Sequence, residues 1–209
     1  MNIAVIDIGK PGANFGWAMV GDTTGEGNDI DVCVQTLAEA LRNGPLALGF
    51  EAPMFVPIRT DPKRLTAARE GDSGKGMPSR SFSASAGATE LVTGLVVESY
   101  ILARLRPLVP EAAATVGWRL PPVGPGWLLV FEAFVTDQRK TSDTRHIEDA
   151  HLAIAAFQRG MCDPASFHSS VEEPNCLSLL GAIMLRTGWD TDPAILSRPC
   201  LVVRVHASG

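Results

Sequence analysis

The feature that most constrains this chain is an acid set inside its first apolar run. Residues Met1-Asn-Ile-Ala-Val-Ile-Asp-Ile-Gly9 carry one carboxylate, Asp7. The chain then turns through Gly9, Pro11 and Gly12 and returns as Gly16-Trp-Ala-Met-Val20. Two apolar runs separated by Gly and Pro read as an antiparallel hairpin. A carboxylate in such a strand costs free energy unless it is paired or binds a cation. The hairpin therefore predicts a sheet whose first strand presents Asp7 to a metal, a phosphate or a partner charge.

The chain is long enough for one large domain. It has 209 residues, 45% of them hydrophobic and 20% charged, which suits a packed core rather than a disordered segment. The net charge of −5 excludes a generally basic nucleic-acid-coating protein but not a local basic site. Cys33, Cys162, Cys176 and Cys200 form no CxxC pair, so they read as reduced thiols and not as a zinc site. There is no leader-like segment and no apolar run of about eighteen residues, so the expectation is a cytoplasmic protein with no membrane partner. Oligomeric state is not legible.

The patterning predicts strands at about 2–8, 15–21 and 30–34, and a helix at about 35–43. A strand at 46–51 ends in Glu51 and is cut off by Pro53. Residues 56–84, rich in Gly, Ser, Pro and charge, read as a long excursion. A helix at 88–106, a strand at 127–135 with Glu132 embedded, helices at 144–159 and 175–187, and a strand at 200–206 follow. Antiparallel strands come first and strand–helix alternation comes later. This order predicts an α/β fold with a mixed sheet, hairpin strands then parallel strands, flanked by helices. Residues 1–160 form the expected domain, with 161–209 as an extension packed on it.

Four acidic positions stand out: Asp7, Glu51, Glu132 and the pair Glu148-Asp149. The first three end or interrupt apolar strands. The pair opens an apolar helix, with Asp149 on a face continued by Leu152, Ala153 and Ala156. Taken singly, each acid also fits a capping role, and the helix dipole favours Glu148 and Asp149 in a first turn. Taken together they predict a hard, oxygen-rich site for Mg²⁺ or Mn²⁺. Paired ions of this kind clamp the attacking water and the leaving oxygen in phosphodiester hydrolysis. His151 lies nearby as a proton carrier, with His146 beside it. The segment 59–80 holds six basic residues against three acidic ones, and Arg59, Arg64 and Arg80 are candidate phosphate contacts, as are Arg139 and Lys140. A solvated loop explains the same charges. Gly71-Asp-Ser-Gly-Lys-Gly76 lacks the spacing of a P-loop.

These residues resemble the RNase H-like superfamily, including RuvC-type resolvases. The pattern is most similar to a family of uncharacterised predicted RNase H-like nucleases: Ile6-Asp-Ile-Gly9 with Gly16-Trp-Ala18, Phe50-Glu-Ala-Pro53, a loop like Arg80-Ser-Phe82, Val130-Phe-Glu-Ala-Phe134, and Glu148-Asp-Ala-His-Leu-Ala-Ile-Ala-Ala156. The resemblance runs from residue 1 to about 157. It implies an RNase H-like sheet and a divalent-metal-dependent nuclease acting on nucleic acid, DNA or RNA. It also implies Asp7, Glu51 and Asp149 as metal ligands, with Glu132 next to the site; Glu132, Glu148 or His151 would help position water. The sequence departs from the pattern in carrying Glu51 where the close family has Asp, and Thr136-Asp137 where a Pro often follows the strand. Two other readings stand beside this one. A non-catalytic binding or scaffold domain can share the fold. A nucleotide-dependent kinase of the actin-like superfamily shares an Asp-x-Gly turn, but a second such hairpin is absent.

Overall fold

A computed structural model describes residues 1–72, 82–117, 124–134, 145–163 and 167–205. In chain order the elements are β1 (Asn2–Asp7), β2 (Gly16–Val20), β3 (Gly25–Gly27), α1 (Ile30–Asn43), β4 (Leu46–Phe50), β5 (Phe55–Pro57), α2 (Ser85–Leu105), β6 (Ala113–Thr115), β7 (Trp127–Phe134), α3 (Arg145–Cys162), β8 (Cys176–Ser178), α4 (Leu179–Thr187) and β9 (Val202–Arg204). Seven strands form one mixed sheet in the order β3-β2-β1-β4-β7-β6, with β9 also paired to β7. The β1–β2 and β2–β3 pairs are antiparallel, whereas β4, β7, β6 and β9 all join in parallel. This is the expected α/β architecture. Strand β7 is long enough to carry two partners on one edge: Trp127 to Leu129 pair with β6, and Glu132 to Phe134 pair with β9.

Both faces of the sheet are covered, which is why β1, β4 and β7 are apolar on both sides. On one face Ala4, Ile6, Leu48, Phe50 and Val130 pack with α1, α2 and α4. On the other, Ile3, Val5, Ala47, Leu129 and Phe131 pack under α3, whose Ala150, Ala153 and Phe157 face them. Residues beyond 160 are part of the layers: β9 extends the sheet, β8 pairs with β5, and α4 packs on α2. All four cysteines are free thiols. No helix among the described residues is long and apolar enough to cross a membrane.

The expected strand at 30–34 is instead the start of α1. The Asp29 side chain accepts the Asp31 and Val32 amides at 2.8 and 3.0 Å, so it is an N-cap that commits the next residues to a helix. Cys33, Val34, Leu37, Ala38 and Leu41 then bury one helical stripe, and that burial outweighs the β-branched character of Ile30, Val32 and Val34. The third strand of the sheet is the short β3 just before it. The excursion at 56–84 also carries more structure than its composition suggests. It opens on β5, makes a short 3-10 turn at Pro62–Arg64, and buries Arg69 and Asp72 completely. Residues 73–81 of that stretch lie outside the described residues.

Candidate metal centre

The register of the central strands decides which acids meet. Ile6 of β1 aligns with Phe50 of β4, and Phe50 aligns with Glu132 of β7. Successive side chains alternate between faces. Ile6, Phe50 and Glu132 therefore share one face, while Asp7 and Glu51, one position further on, share the other with Ala133. The ladder continues to Glu51, whose amide donates to the Ile6 carbonyl at 2.9 Å. Asp7 thus ends β1, and Glu51 follows directly on the last residue of β4, the strand beside it, with its side chain on Asp7.

Helix α3 supplies the rest. His146 and Asp149 are three residues apart and so share a helix face. The helix comes this close because residue 16 is glycine: a Cβ there would fall 2.6 Å from His146 Cβ and 2.7 Å from its carbonyl carbon. Nδ1 of His146 lies 2.5 Å from Oδ2 of Asp7. Ligand atoms of Asp7, His146 and Asp149 all lie within 4.8 Å of one another. Glu51 is within hydrogen-bonding reach of Asp7. Asp7, Glu51 and Asp149 are 7, 8 and 2% exposed, so the acids are withdrawn from bulk water. Burial pushes the Asp7 carboxyl above its ordinary value. His146 and the hydrogen bond with Glu51 pull it back, and the charge of Asp149 pushes it further up.

Two converging carboxyls and an imidazole suit a divalent cation, and Glu51 joins them only through its hydrogen bond with Asp7, outside the group whose ligand atoms lie within 4.8 Å. Ligands at about 2.0–2.6 Å from one ion stand up to about 4–5 Å apart, which is the spacing of the Asp7, His146 and Asp149 atoms. The raised Asp7 pKa points the same way, because a buried carboxyl pushed upward lacks full compensation by positive charge.

The other expected site residues are placed elsewhere. Glu132, expected beside the site, is on the opposite face and fully buried. Its carboxylate accepts two hydrogen bonds from Arg69, at 2.8 and 2.5 Å, and one from the Met54 amide at 3.0 Å. It therefore positions no water at the Asp7 cluster. The reason is strand parity, since Glu132 aligns with Phe50 and not with Glu51. His151 also points away: its Nε2 lies 2.7 Å from Oε2 of Glu26, in an exposed pair beside β3. Glu148 is exposed on the first turn of α3. Arg59, expected at phosphate, is held by Glu173 through two hydrogen bonds of 2.7 and 2.8 Å. Arg64 is exposed on the 3-10 turn. Arg80, Arg139 and Lys140 lie outside the described residues.

Two participants have roles that the sequence reading does not assign: His146, expected only as a neighbour of the site, and Arg69, expected only as one of the basic residues of 59–80. His146 carried a usable signal, its spacing of three from Asp149. Arg69 carried none, because it sits in a polar stretch that reads as solvated. In the fold its guanidinium grips Asp72 and Glu132 together and stacks 4.5 Å from the Phe55 ring centroid.

No family model, curated protein or solved structure matches this chain.

Proposed function

We propose that this chain is an RNase H-like, divalent-metal-dependent nuclease that hydrolyses phosphodiester bonds in nucleic acid, with Asp7, Glu51, Asp149 and His146 as its centre. The observation that carries this reading is the convergence of Asp7, His146 and Asp149 from β1 and α3, with Glu51 beside them from the end of β4. The resemblance of the hairpin, Phe50-Glu-Ala-Pro53 and the α3 segment to RNase H-like nucleases supplies the reaction class.

Asp7, Glu51, Asp149 and His146 would hold Mg²⁺ or Mn²⁺, and the nitrogen donor favours Mn²⁺ of the two. When bound, such an ion lowers the pKa of water and neutralises charge on a phosphate. The chain's own residues do the rest. Asp7 and Glu51 are held rigid by adjacent ladder positions, so their oxygens need little reorganisation. Nδ1 of His146 lies 2.5 Å from Oδ2 of Asp7, so the imidazole is already set against the carboxyl it would share the ion with. The packing of α3 on β1 and β2 keeps Asp149 out of water.

The 2.5 Å contact between His146 and Asp7 also supports a second reading, a non-catalytic domain in which this pair simply fastens α3 to β1. Incubation with single- and double-stranded DNA, RNA and a hybrid, in Mn²⁺ or Mg²⁺, separates the two. The nuclease reading expects cleavage that EDTA abolishes and that Asp149→Asn lowers by at least 100-fold (about 3 kcal/mol of barrier). Cleavage unaffected by Asp149→Asn, or none on any substrate, would overturn it.

A further inference from the structure

We propose that Arg69 and Glu132 are positioning residues for the metal centre, setting the turn that carries Glu51 from the opposite face of the sheet; the proposal rests on the metal-centre reading. Glu51 is the last residue of its strand to make a ladder bond, through its amide to Ile6. Beyond it the chain leaves the sheet through Ala52 and Pro53. The next fixed point is the Met54 amide, and its acceptor is Oε2 of Glu132 at 3.0 Å. The Met54 carbonyl in turn accepts the Leu179 and Leu180 amides at 2.9 and 3.0 Å, tying the turn to the start of α4. The Phe55 carbonyl accepts from Arg69 at 3.3 Å. Glu51 thus sits between a sheet bond behind it and a charged clamp ahead of it.

The clamp is built for orientation. All five N–H groups of Arg69 have partners: Nε and one terminal nitrogen on Asp72, both terminal nitrogens on Glu132, and Phe55 for the remaining hydrogen. Arg69 and Glu132 side chains are both fully buried. A buried ion pair is a costly way to fill a core, since apolar side chains of the same volume do as well or better. A bidentate fork fixes direction in a way apolar contacts do not. Here the fixed direction ends on the backbone three residues after Glu51.

Mn²⁺ titration of the purified full chain tests this. Glu132→Ala should weaken Mn²⁺ binding at least tenfold. Glu132→Gln keeps an oxygen for the Met54 amide and should recover most of that loss. Leu37→Ala, a core truncation in α1 remote from the turn, should lower stability and leave Mn²⁺ affinity at the wild-type value. Should Glu132→Ala fail to fold, Arg69→Lys keeps the charge but loses the fork and should bind Mn²⁺ several-fold more weakly. Wild-type affinity in the Glu132→Ala or Arg69→Lys chain, or an equal loss in Leu37→Ala, overturns the positioning role and leaves the metal centre standing. A wild-type chain that binds no Mn²⁺ overturns both.

Discussion

Asp7 and Glu132 are both acids near the ends of parallel strands that flank β4, and the fold treats them in opposite ways. Glu132 meets a guanidinium, a backbone amide and a closed set of hydrogen bonds. Asp7 meets a histidine and two further carboxyls, and burial drives its pKa up. The Arg69 cluster compensates the Glu132 charge internally; the Asp7 cluster concentrates negative charge and compensates it in part. Compensation of the first kind builds structure, whereas a shortfall of the second kind is what a cation site requires. The difference comes from strand parity, a shift of one residue along the strand.

The largest effect should come from breaking the compensated face. Glu132→Ala leaves the Arg69 guanidinium buried with one partner fewer and should cost about 3–5 kcal/mol of unfolding free energy. Urea denaturation at neutral pH reads it directly. A loss under about 1 kcal/mol would mean that the Arg69 cluster is not the structural half of the contrast.

A second test uses the charge balance of the same face. Glu98 of α2 is fully buried, and its Oε1 has no hydrogen-bond partner among the described residues. Burial, then the charge of Glu132, pushes its carboxyl up to about 8. The folded state therefore holds the Glu98 proton more tightly than the unfolded chain does. The stability this confers is complete below the ordinary carboxylate value and is lost as pH rises to about 8. Glu98→Gln removes that dependence. The variant should match wild type near pH 4.5 and exceed it by roughly 2–4 kcal/mol at pH 9. Parallel pH–stability curves for the two chains would contradict the assignment.

Asp7→Asn sharpens the other face. Because the Asp7 pKa is raised in the fold, its contribution to stability is present at acid pH and lost as pH rises through the folded value. At neutral pH without metal, Asp7→Asn should therefore melt above wild type. A lower melting temperature at pH 7 would show that the His146 contact outweighs the burial of charge. The smallest effect belongs to the exposed Glu26–His151 pair. His151→Ala should change stability by less than about 0.5 kcal/mol and leave Mn²⁺ binding unchanged.

The sequence made half of this contrast legible. Asp7 and Glu51 stand where an apolar strand gives way to a turn, and Asp149 interrupts an apolar helix face, so their burial can be read from composition and period alone. Which face each acid occupies depends on register between β1, β4 and β7, a tertiary quantity with no local signature. That is why Glu132 reads as a neighbour of Asp7 and is not one. Arg69 was hidden for a related reason: one of six cations in a Gly- and Ser-rich stretch looks solvated until the partner that buries it is known. The segment at 30–34 failed through competition between two local signals, with the Asp29 cap prevailing over β-branched residues. β5 and β8 are three residues each, too short to show alternation.

The central claim is that Asp7, Glu51, Asp149 and His146 form a cation site, and titration calorimetry of the metal-free chain with Mn²⁺ tests it most directly. Wild type should bind Mn²⁺ saturably and release protons, because a ligating carboxylate must be ionised and burial pushes the Asp7 carboxyl above its ordinary value. Asp7→Asn, folded by circular dichroism, should show little or no heat of binding. Equal Mn²⁺ affinity in wild type and Asp7→Asn, or no binding by either, would contradict the account.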